Sequence, residues 1–251
     1  VGTAAATDAD GSSLTFTLAG AGADNGLFGI TTDGVITFNS APDFEDPKGS
    51  SSDNSNTYEI TVNVNDGATD VVQAHTIAVV NVNEAPVITT TSFTNIPEEQ
   101  AVIGNLAVTD DASDSISYAI TGGADQLKFS VSGAALSFSS NPNFEIPGDG
   151  DGNNVYVVEI TATDGGSLTD VETVSVTVVN ANEAPTITAN STYSVAENTT
   201  AVGNITGTDI DSGDSASLAF TLSGADSAKF AITPLFVSGN NRLASLSFIS
   251  A

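Results

Sequence analysis

The stretch VNVNEAP at residues 80–86 returns as VNANEAP at residues 179–185. We call these the first and the second linker. Their equivalent glutamates, Glu84 and Glu183, lie 99 residues apart. A period of that size indicates tandem domains rather than a single globule.

Working outward from the linkers, each copy contains runs in which every second residue is apolar. Such alternation predicts strands with one face buried and the other in water. The same run follows the start of all three copies, as Leu14, Phe16 and Leu18; Ile116, Tyr118 and Ile120; and Leu218, Phe220 and Leu222. A later run ends at an aspartate in two copies, from Tyr58 to Asp66 and from Tyr156 to Asp164. We therefore predict an all-β fold of tandem Greek-key β-sandwich repeats of about 100 residues.

The repeat alignment also predicts domain boundaries. We expect repeat 1 at residues 1–85 without a first strand, a complete repeat 2 at 86–184, and repeat 3 at 185–251 without its last strands. This register further predicts that the chain is a segment of a longer array and that its end copies are completed in cis or by another chain.

The charge of the chain excludes several classes of function. It has 31 Asp and Glu against four Lys and Arg, a formal net charge of −27. With so little basic surface we expect no nucleic-acid partner and no binding to anionic membrane. The sequence has no apolar run long enough to span a bilayer, so we also expect no membrane insertion. One His and no Cys leave little for nucleophilic catalysis, so we predict no enzyme activity. A charge this negative suits cation binding or simple solubility.

The acidic residues and asparagines cluster in the linkers and at strand ends. Calcium takes six to eight oxygen ligands from carboxylates, Asn side chains, carbonyls and water, and a site between domains needs ligands from both sides. For the first linker we predict Ca²⁺ ligands Asp43, Glu45, Asn81, Asn83, Glu84, Asp110, Asp111 and Asp164. For the second linker we predict Glu98, Glu145, Asn180, Asn182, Glu183, Asp209 and Asp211. We expect Asp8, Asp10 and Asp66 to face a preceding domain. The alternative is that these acids only form turns and solubilise strand ends.

These motifs resemble those of the cadherin repeat, in its bacterial surface-adhesin form. Ala196-Glu197-Asn198 is similar to the early acidic motif, Thr208-Asp209-Ile210-Asp211 to the Asp-x-Asp motif, and Asp43-Phe44-Glu45 to the Asp-x-Glu motif. The resemblance covers nearly the whole chain. It implies Glu197 as a further ligand and interdomain calcium that stiffens a rod.

The chain departs from that family pattern at several ligand positions. Asn81 and Asn180 stand where the family usually has Asp, and Asn143 begins the Asp-x-Glu turn of repeat 2. Each change removes a formal charge, so we expect weaker binding or fewer ions at these linkers.

The sequence thus predicts a calcium-rigidified structural or adhesive segment of an extracellular bacterial surface protein. Its expected partners are calcium, neighbouring repeats of the same chain, and a homotypic or cell-surface ligand. Two alternatives stay open. One is a subunit of an extracellular filament. The other is a carbohydrate-binding or enzyme-appended module, although the chain has no Trp for stacking on sugars.

Overall fold

The computed structural model is all-β, and its helices are three-residue 3-10 turns among the residues that it describes. These residues are 1–20, 22–49, 55–111, 114–190, 192–211 and 214–250. They divide into two compact units, Val1–Ala85 with Asp110–Ser115, and Pro86–Thr109 with Ile116–Ala251. Within the described part of the chain, no helix has the length and apolar character needed to cross a bilayer.

Repeat 1 forms two three-stranded sheets, β1-β4-β3 and β2-β5-β6. Its strands are β1 Gly2–Thr3, β2 Thr15–Leu18, β3 Phe28–Ile30, β4 Val35–Phe38, β5 Thr57–Asn65 and β6 Asp70–Ala78. The alternating side chains Tyr58, Ile60 and Val62 of β5 are buried between the sheets. The alternation therefore gives the inward face of β5, as the sequence predicts.

Repeat 2 contains a four-stranded sheet, β11-β14-β15-β8, a three-stranded sheet, β12-β13-β9, and the short pair β10-β7. Its strands are β7 Val87–Ile88, β8 Ser92–Pro97, β9 Val102–Asn105, β10 Val108–Thr109, β11 Ser117–Gly122, β12 Phe129–Ser132, β13 Ala135–Phe138, β14 Val155–Thr163 and β15 Thr169–Val179. Strand β8 pairs with β15 in parallel, and all other pairings in this repeat are antiparallel. The core includes the fully buried Ile160, Val174 and Val176.

Repeat 3 is built on one sheet of order β16-β17-β19-β18. The strands are β16 Thr186–Thr188, β17 Ala201–Thr208, β18 Phe230–Ser238 and β19 Asn241–Phe248. The predicted strand at Leu218–Leu222 is wrong, because these residues have no strand structure here. Its counterpart β11 pairs with β14, and residues 214–250 contain no strand equivalent to β14, so the run has no partner to complete a ladder.

The layers confirm the predicted all-β fold of tandem sandwich-type repeats. They also place the linker acids at sheet ends, where loops and strand termini meet. The domain boundaries at residues 85 and 184 stay a prediction.

Candidate metal centre

Three glutamates from separate segments of the second unit meet at the second linker. Glu98 follows β8, Glu145 lies in the turn after β13, and Glu183 belongs to the linker itself. One carboxylate oxygen from each lies within 4.8 Å of the others. The fold thus gathers three acids that are distant in the chain: Glu98 and Glu145 are 47 positions apart, and Glu145 and Glu183 are 38 positions apart.

Glu98 holds the turn and the linker together. Its Oε2 accepts a hydrogen bond from the Phe144 backbone N–H at 2.8 Å, and its Oε1 accepts one from the Ala181 N–H at 2.9 Å. The residue is only 3% exposed. Because a buried carboxylate is costly without partners, these two N–H donors explain how Glu98 is tolerated here.

Asn180 connects the glutamate group to the Asp-x-Asp motif of repeat 3. Its Nδ2 donates to Glu145 Oε1 at 2.7 Å and to Asp211 Oδ1 at 2.8 Å. The second oxygen of Asp211 accepts the Glu183 N–H at 2.9 Å. The predicted ligands Glu145, Asn180, Glu183 and Asp211 therefore belong to one network.

The electrostatics of this network favour a positive charge. Loss of hydration is the first cause that raises the pKa of Glu183 to about 7, and the carboxylates of Glu98 and Asp211 add to the rise. Burial likewise raises the pKa of Glu145. In contrast, the Glu183 N–H and the Asn180 amide lower the pKa of Asp211. Carboxylates that are forced together without a counter-charge show this pattern.

A second acidic group follows in repeat 3. Asp209, Asp211 and Asp214 place carboxylate oxygens within 4.8 Å of one another, and the Asp211 N–H donates to Asp209 Oδ1 at 3.1 Å. Asp209 and Asp211 are buried. The sequence reasoning missed Asp214, which lies in a 3-10 turn outside the Asp-x-Asp spacing.

The first unit contains a similar group at the first linker. Oxygens of Glu45, Glu84 and Asp111 lie within 4.8 Å of one another, and Asn81 Nδ2 donates to Asp111 Oδ2 at 3.3 Å. Contact with Asp111 is the main cause that raises the pKa of Glu84. Asp43 instead caps its own turn, since its Oδ1 accepts the N–H groups of residues 45 and 46 at 2.9 and 3.1 Å.

Several other predicted ligands act locally. Asp66 Oδ1 accepts the Thr69 N–H at 2.6 Å, and Asp164 Oδ1 accepts the Leu168 N–H at 2.8 Å, so both aspartates close the turns between long strands. Asp8 Oδ1 accepts the Asp10 N–H at 3.0 Å.

The linker amides Asn83 and Asn182 repeat one contact, because each donates to the backbone oxygen of the following glutamate, at 3.1 and 3.0 Å. Both carboxylate oxygens of Asp110 are shielded from solvent, and no residue in the described ranges donates a hydrogen bond to them. Glu197 is exposed and belongs to none of the acidic groups found among the described residues.

The donors at the second linker fit a hard cation. The carboxylate atoms are oxygens, which calcium prefers, and Glu145 Oε2 and Glu183 Oε2 are buried without a hydrogen-bond partner among the described residues. Buried polar atoms are normally satisfied, so two carboxylate oxygens without a donor in one acidic group favour a positive partner. The residues present therefore suit a calcium ion.

Two buried aspartates, one at the edge of the core in repeat 1 and one in repeat 2, have a structural role that the sequence did not show. Asp24 Oδ2 accepts the Glu59 N–H at 2.7 Å, and Asp125 Oδ2 accepts the Val157 N–H at 2.8 Å. Both come from a Gly-Ala-Asp turn that reads like an ordinary surface turn. The third such aspartate, Asp226, is exposed and pairs with Lys229 at 2.7 Å.

No protein-family model and no curated protein sequence matches the chain. Among solved structures, repeats EC21-23 of human CDH23 superpose with a TM-score of 0.56 at 18% identity, covering 86% of this chain and 80% of that one. Human protocadherin-24 EC1-2 matches with a TM-score of 0.50 at 20% identity, covering 70% of this chain and 86% of that one. At this identity the likeness concerns the fold alone. The chain therefore has the fold of tandem cadherin ectodomain repeats.

Proposed function

We propose that the chain is a calcium-rigidified structural or adhesive segment of an extracellular bacterial surface protein. One observation carries the proposal. Glu98, Glu145 and Glu183 reach one place from three separate segments, and two of their oxygens are buried without a hydrogen-bond donor in the part of the chain that the structure describes. Such a group gains most from a divalent cation with oxygen ligands.

The acids gathered around the second linker have defined parts in this function. Glu98 ties the end of repeat 2 to the linker, Glu183 contributes from the linker, and Asp211 contributes from repeat 3. A bound calcium ion supplies the positive charge that offsets the repulsion among these carboxylates. Without it the acids repel one another, and the linker is free to bend.

The first linker supports the same function with a smaller set of acids. Glu45, Glu84 and Asp111 would hold the cation there, and Asn81 contacts Asp111 in the way that Asn180 contacts Asp211. The proposed role is that of a spacer or an adhesion module outside the cell. Its partners are calcium, adjacent repeats, and a homotypic or cell-surface ligand; no catalysis is part of the proposal.

Small-angle scattering with calcium and then with chelator tests the proposal. We expect the apparent flexibility of the chain to rise when calcium is removed. Glu183→Ala should lose calorimetric calcium binding at the second linker. The matched control is Glu59→Ala, which removes an exposed carboxylate on β5 and should bind calcium like the wild type. Scattering profiles that do not respond to calcium contradict the proposal.

The filament subunit remains a second candidate because of the edge strand β6 in repeat 1. In repeat 2, the equivalent strand β15 is covered by β8, which extends the sheet. In repeat 1, the sheet β2-β5-β6 leaves β6 at its edge, with Val71 and Val72 exposed. An exposed apolar edge can accept a strand from another chain. Association that grows with protein concentration, and that Val72→Lys abolishes, would favour this candidate.

A further inference from the structure

The hairpin of β18 and β19 is much longer than its counterparts in the other repeats. Its strands have nine and eight residues. The equivalent hairpin has three and four residues in repeat 1 and four and four in repeat 2. Repeat 3 therefore carries an extension that the sandwich fold itself does not need.

The extension continues the sheet up to the Asp-x-Asp motif. Strand β19 pairs with β17 without interruption from Gly203 to Thr208, which lies opposite Asn241. Beyond that pair, the Asp209 N–H donates to the Asn240 carbonyl at 3.0 Å. Asn240 Nδ2 donates back to the Ile210 carbonyl at 3.0 Å. The backbone on both sides of the Asp209 side chain is thus held by the hairpin tip.

Further bonds hold the neighbouring residues. The Thr208 hydroxyl donates to Asn241 Oδ1 at 2.6 Å. The Ser215 hydroxyl donates to the Gly239 carbonyl at 2.8 Å. Arg242 Nη1 donates to the Ala216 carbonyl at 2.6 Å. The tip therefore contacts the acidic segment both before and after its aspartates.

Among the residues that the structure describes, the acidic segment of repeat 2 has no such bonds to its own hairpin. There β13 pairs with β9 only as far as Asn105, and the turn carbonyl of Ala134 accepts the Leu106 N–H at 2.8 Å. The following strand β10 pairs with β7 instead. The last residue that the shorter hairpin bonds in this way is Leu106, four positions before Asp110. The longer hairpin bonds Asp209 itself.

We propose that the β18–β19 hairpin is a positioning element that presets the Asp209–Asp211 segment for a cation, with Asn240 and Asn241 as the positioning residues. This inference rests on the proposed calcium site at the second linker. The physical reason is that a ligand segment already fixed by folding loses less conformational freedom when the ion binds. Asn240 acts through the backbone of Asp209 and Ile210, Asn241 acts through the hydroxyl of the preceding Thr208, and neither is assigned as a ligand.

The test compares Asn240→Ala, Asn241→Ala and the double variant with the wild type. Hydrogen exchange is measured first in chelator, where no calcium contributes. We expect the Asp209 and Asp211 amides to exchange about fivefold faster in each single variant and about tenfold or more in the double variant, as the loss of one or two hydrogen bonds implies. Calorimetry should then show calcium binding at the second linker weakened by a similar factor.

Asn204→Ala is the matched control, since it removes the same side chain from an exposed position of β17 away from the tip. It should change neither measurement. Each single variant removes one exposed hydrogen bond. If the double variant no longer forms the β18–β19 pairing, the exchange rates and calcium affinities of the single variants test the proposal. Unchanged exchange at Asp209 in chelator overturns the proposal, and so does unchanged affinity in a variant whose exchange is faster. If the wild type takes up no calcium, the proposed function fails on that titration alone, while exchange in chelator still decides whether the hairpin presets the segment.

Discussion

The side-chain amide of Asn180 lies between two carboxylates, 2.8 Å from Asp211 Oδ1 and 2.7 Å from Glu145 Oε1. Its NH₂ group carries partial positive charge and donates to both. It therefore offsets part of the repulsion between these two carboxylates, whereas an aspartate at this position would add to it. The amide allows the second linker to hold these two acids close together even before a cation binds.

Replacing Asn180 by Asp reverses that arrangement. Asn180→Asp adds a carboxylate beside Asp211 and Glu145, so it should destabilise the junction in chelator by about 1–4 kcal/mol. Because calcium affinity rises with the number of charged ligands, the variant should also bind calcium on the order of tenfold more tightly. Thermal unfolding in chelator and calorimetric titration measure the two effects.

The control for this variant is Asn105→Asp, which adds the same charge at an exposed position of β9. It should leave both the unfolding in chelator and the calcium affinity close to those of the wild type. Equal behaviour of Asn180→Asp and Asn105→Asp would show that the linker amide has no special electrostatic role.

The raised pKa of Glu183 predicts a pH dependence of stability. The folded value is about 7 against an ordinary value of 4.5, so the folded state holds this proton more tightly than the unfolded state. The stability contributed by the protonated group is complete below about pH 4.5 and is lost as the pH rises towards about 7. Chelated protein should therefore unfold more easily at pH 8 than at pH 6.

Glu183→Gln serves as the comparison for this prediction. The uncharged side chain should flatten the stability profile between pH 5 and pH 8 in chelator. In the wild type, calcium binding near pH 7 should release protons, which calorimetry in buffers of different ionisation enthalpy detects. A variant profile parallel to that of the wild type would assign the pH dependence to other groups.

Asp125 should stabilise repeat 2 without any part in cation binding. Its two oxygens accept the Gly150 and Val157 N–H groups at 2.8 Å each. In Asp125→Asn, one acceptor becomes an NH₂ group that faces a donor, so we expect a loss of about 1–3 kcal/mol in urea unfolding. The control is Asp226→Asn, which alters the same turn in repeat 3. That aspartate is exposed and its ion pair contributes little, so the stability in urea should hardly change.

Gly123 should tolerate no side chain. Its φ is +99°, and an added Cβ would lie 2.5 Å from Val158 Cα and 2.6 Å from the Val157 carbonyl oxygen. Gly123→Ala should therefore cost more than about 3 kcal/mol, from backbone strain and from a clash with β14. Gly224 has a φ of +106°, but a Cβ added there would meet no described atom within 4 Å, so Gly224→Ala isolates the strain and should cost about 1–2 kcal/mol. Equal losses in urea unfolding would show that the clash is absorbed elsewhere.

The parts of the fold that follow from short-range patterns were predictable from sequence. Tyr58, Ile60 and Val62 alternate and are buried, as period two requires. The linker repeat also predicted where acids gather, because Glu98, Glu145 and Glu183 stand at ends of strands that the sandwich brings to one side. Whether these residues bind calcium remains a prediction.

The rest depends on tertiary partners that a pattern does not encode. Leu218, Phe220 and Leu222 alternate like a strand, but no strand among the described residues pairs with them. Asp125 and Asp226 occupy the same Gly-Ala-Asp turn, yet only Asp125 meets the N–H groups of an adjacent strand. The reach of the β18–β19 hairpin likewise became visible only from its pairing with β17.

The parallel pairing of β8 with β15 has a mechanical consequence. These strands lie near the beginning and the end of repeat 2, and Ser92, Phe93, Ile96 and Pro97 pair along β15 in the same direction. Tension applied through the two ends of the repeat pulls the strands past each other, so their hydrogen bonds bear the load together instead of opening one after another. We expect repeat 2 to unfold at high force when single chains are stretched, and a strand deletion at β8 to remove that resistance. A module of this kind can transmit tension along a chain of tandem repeats before its core opens.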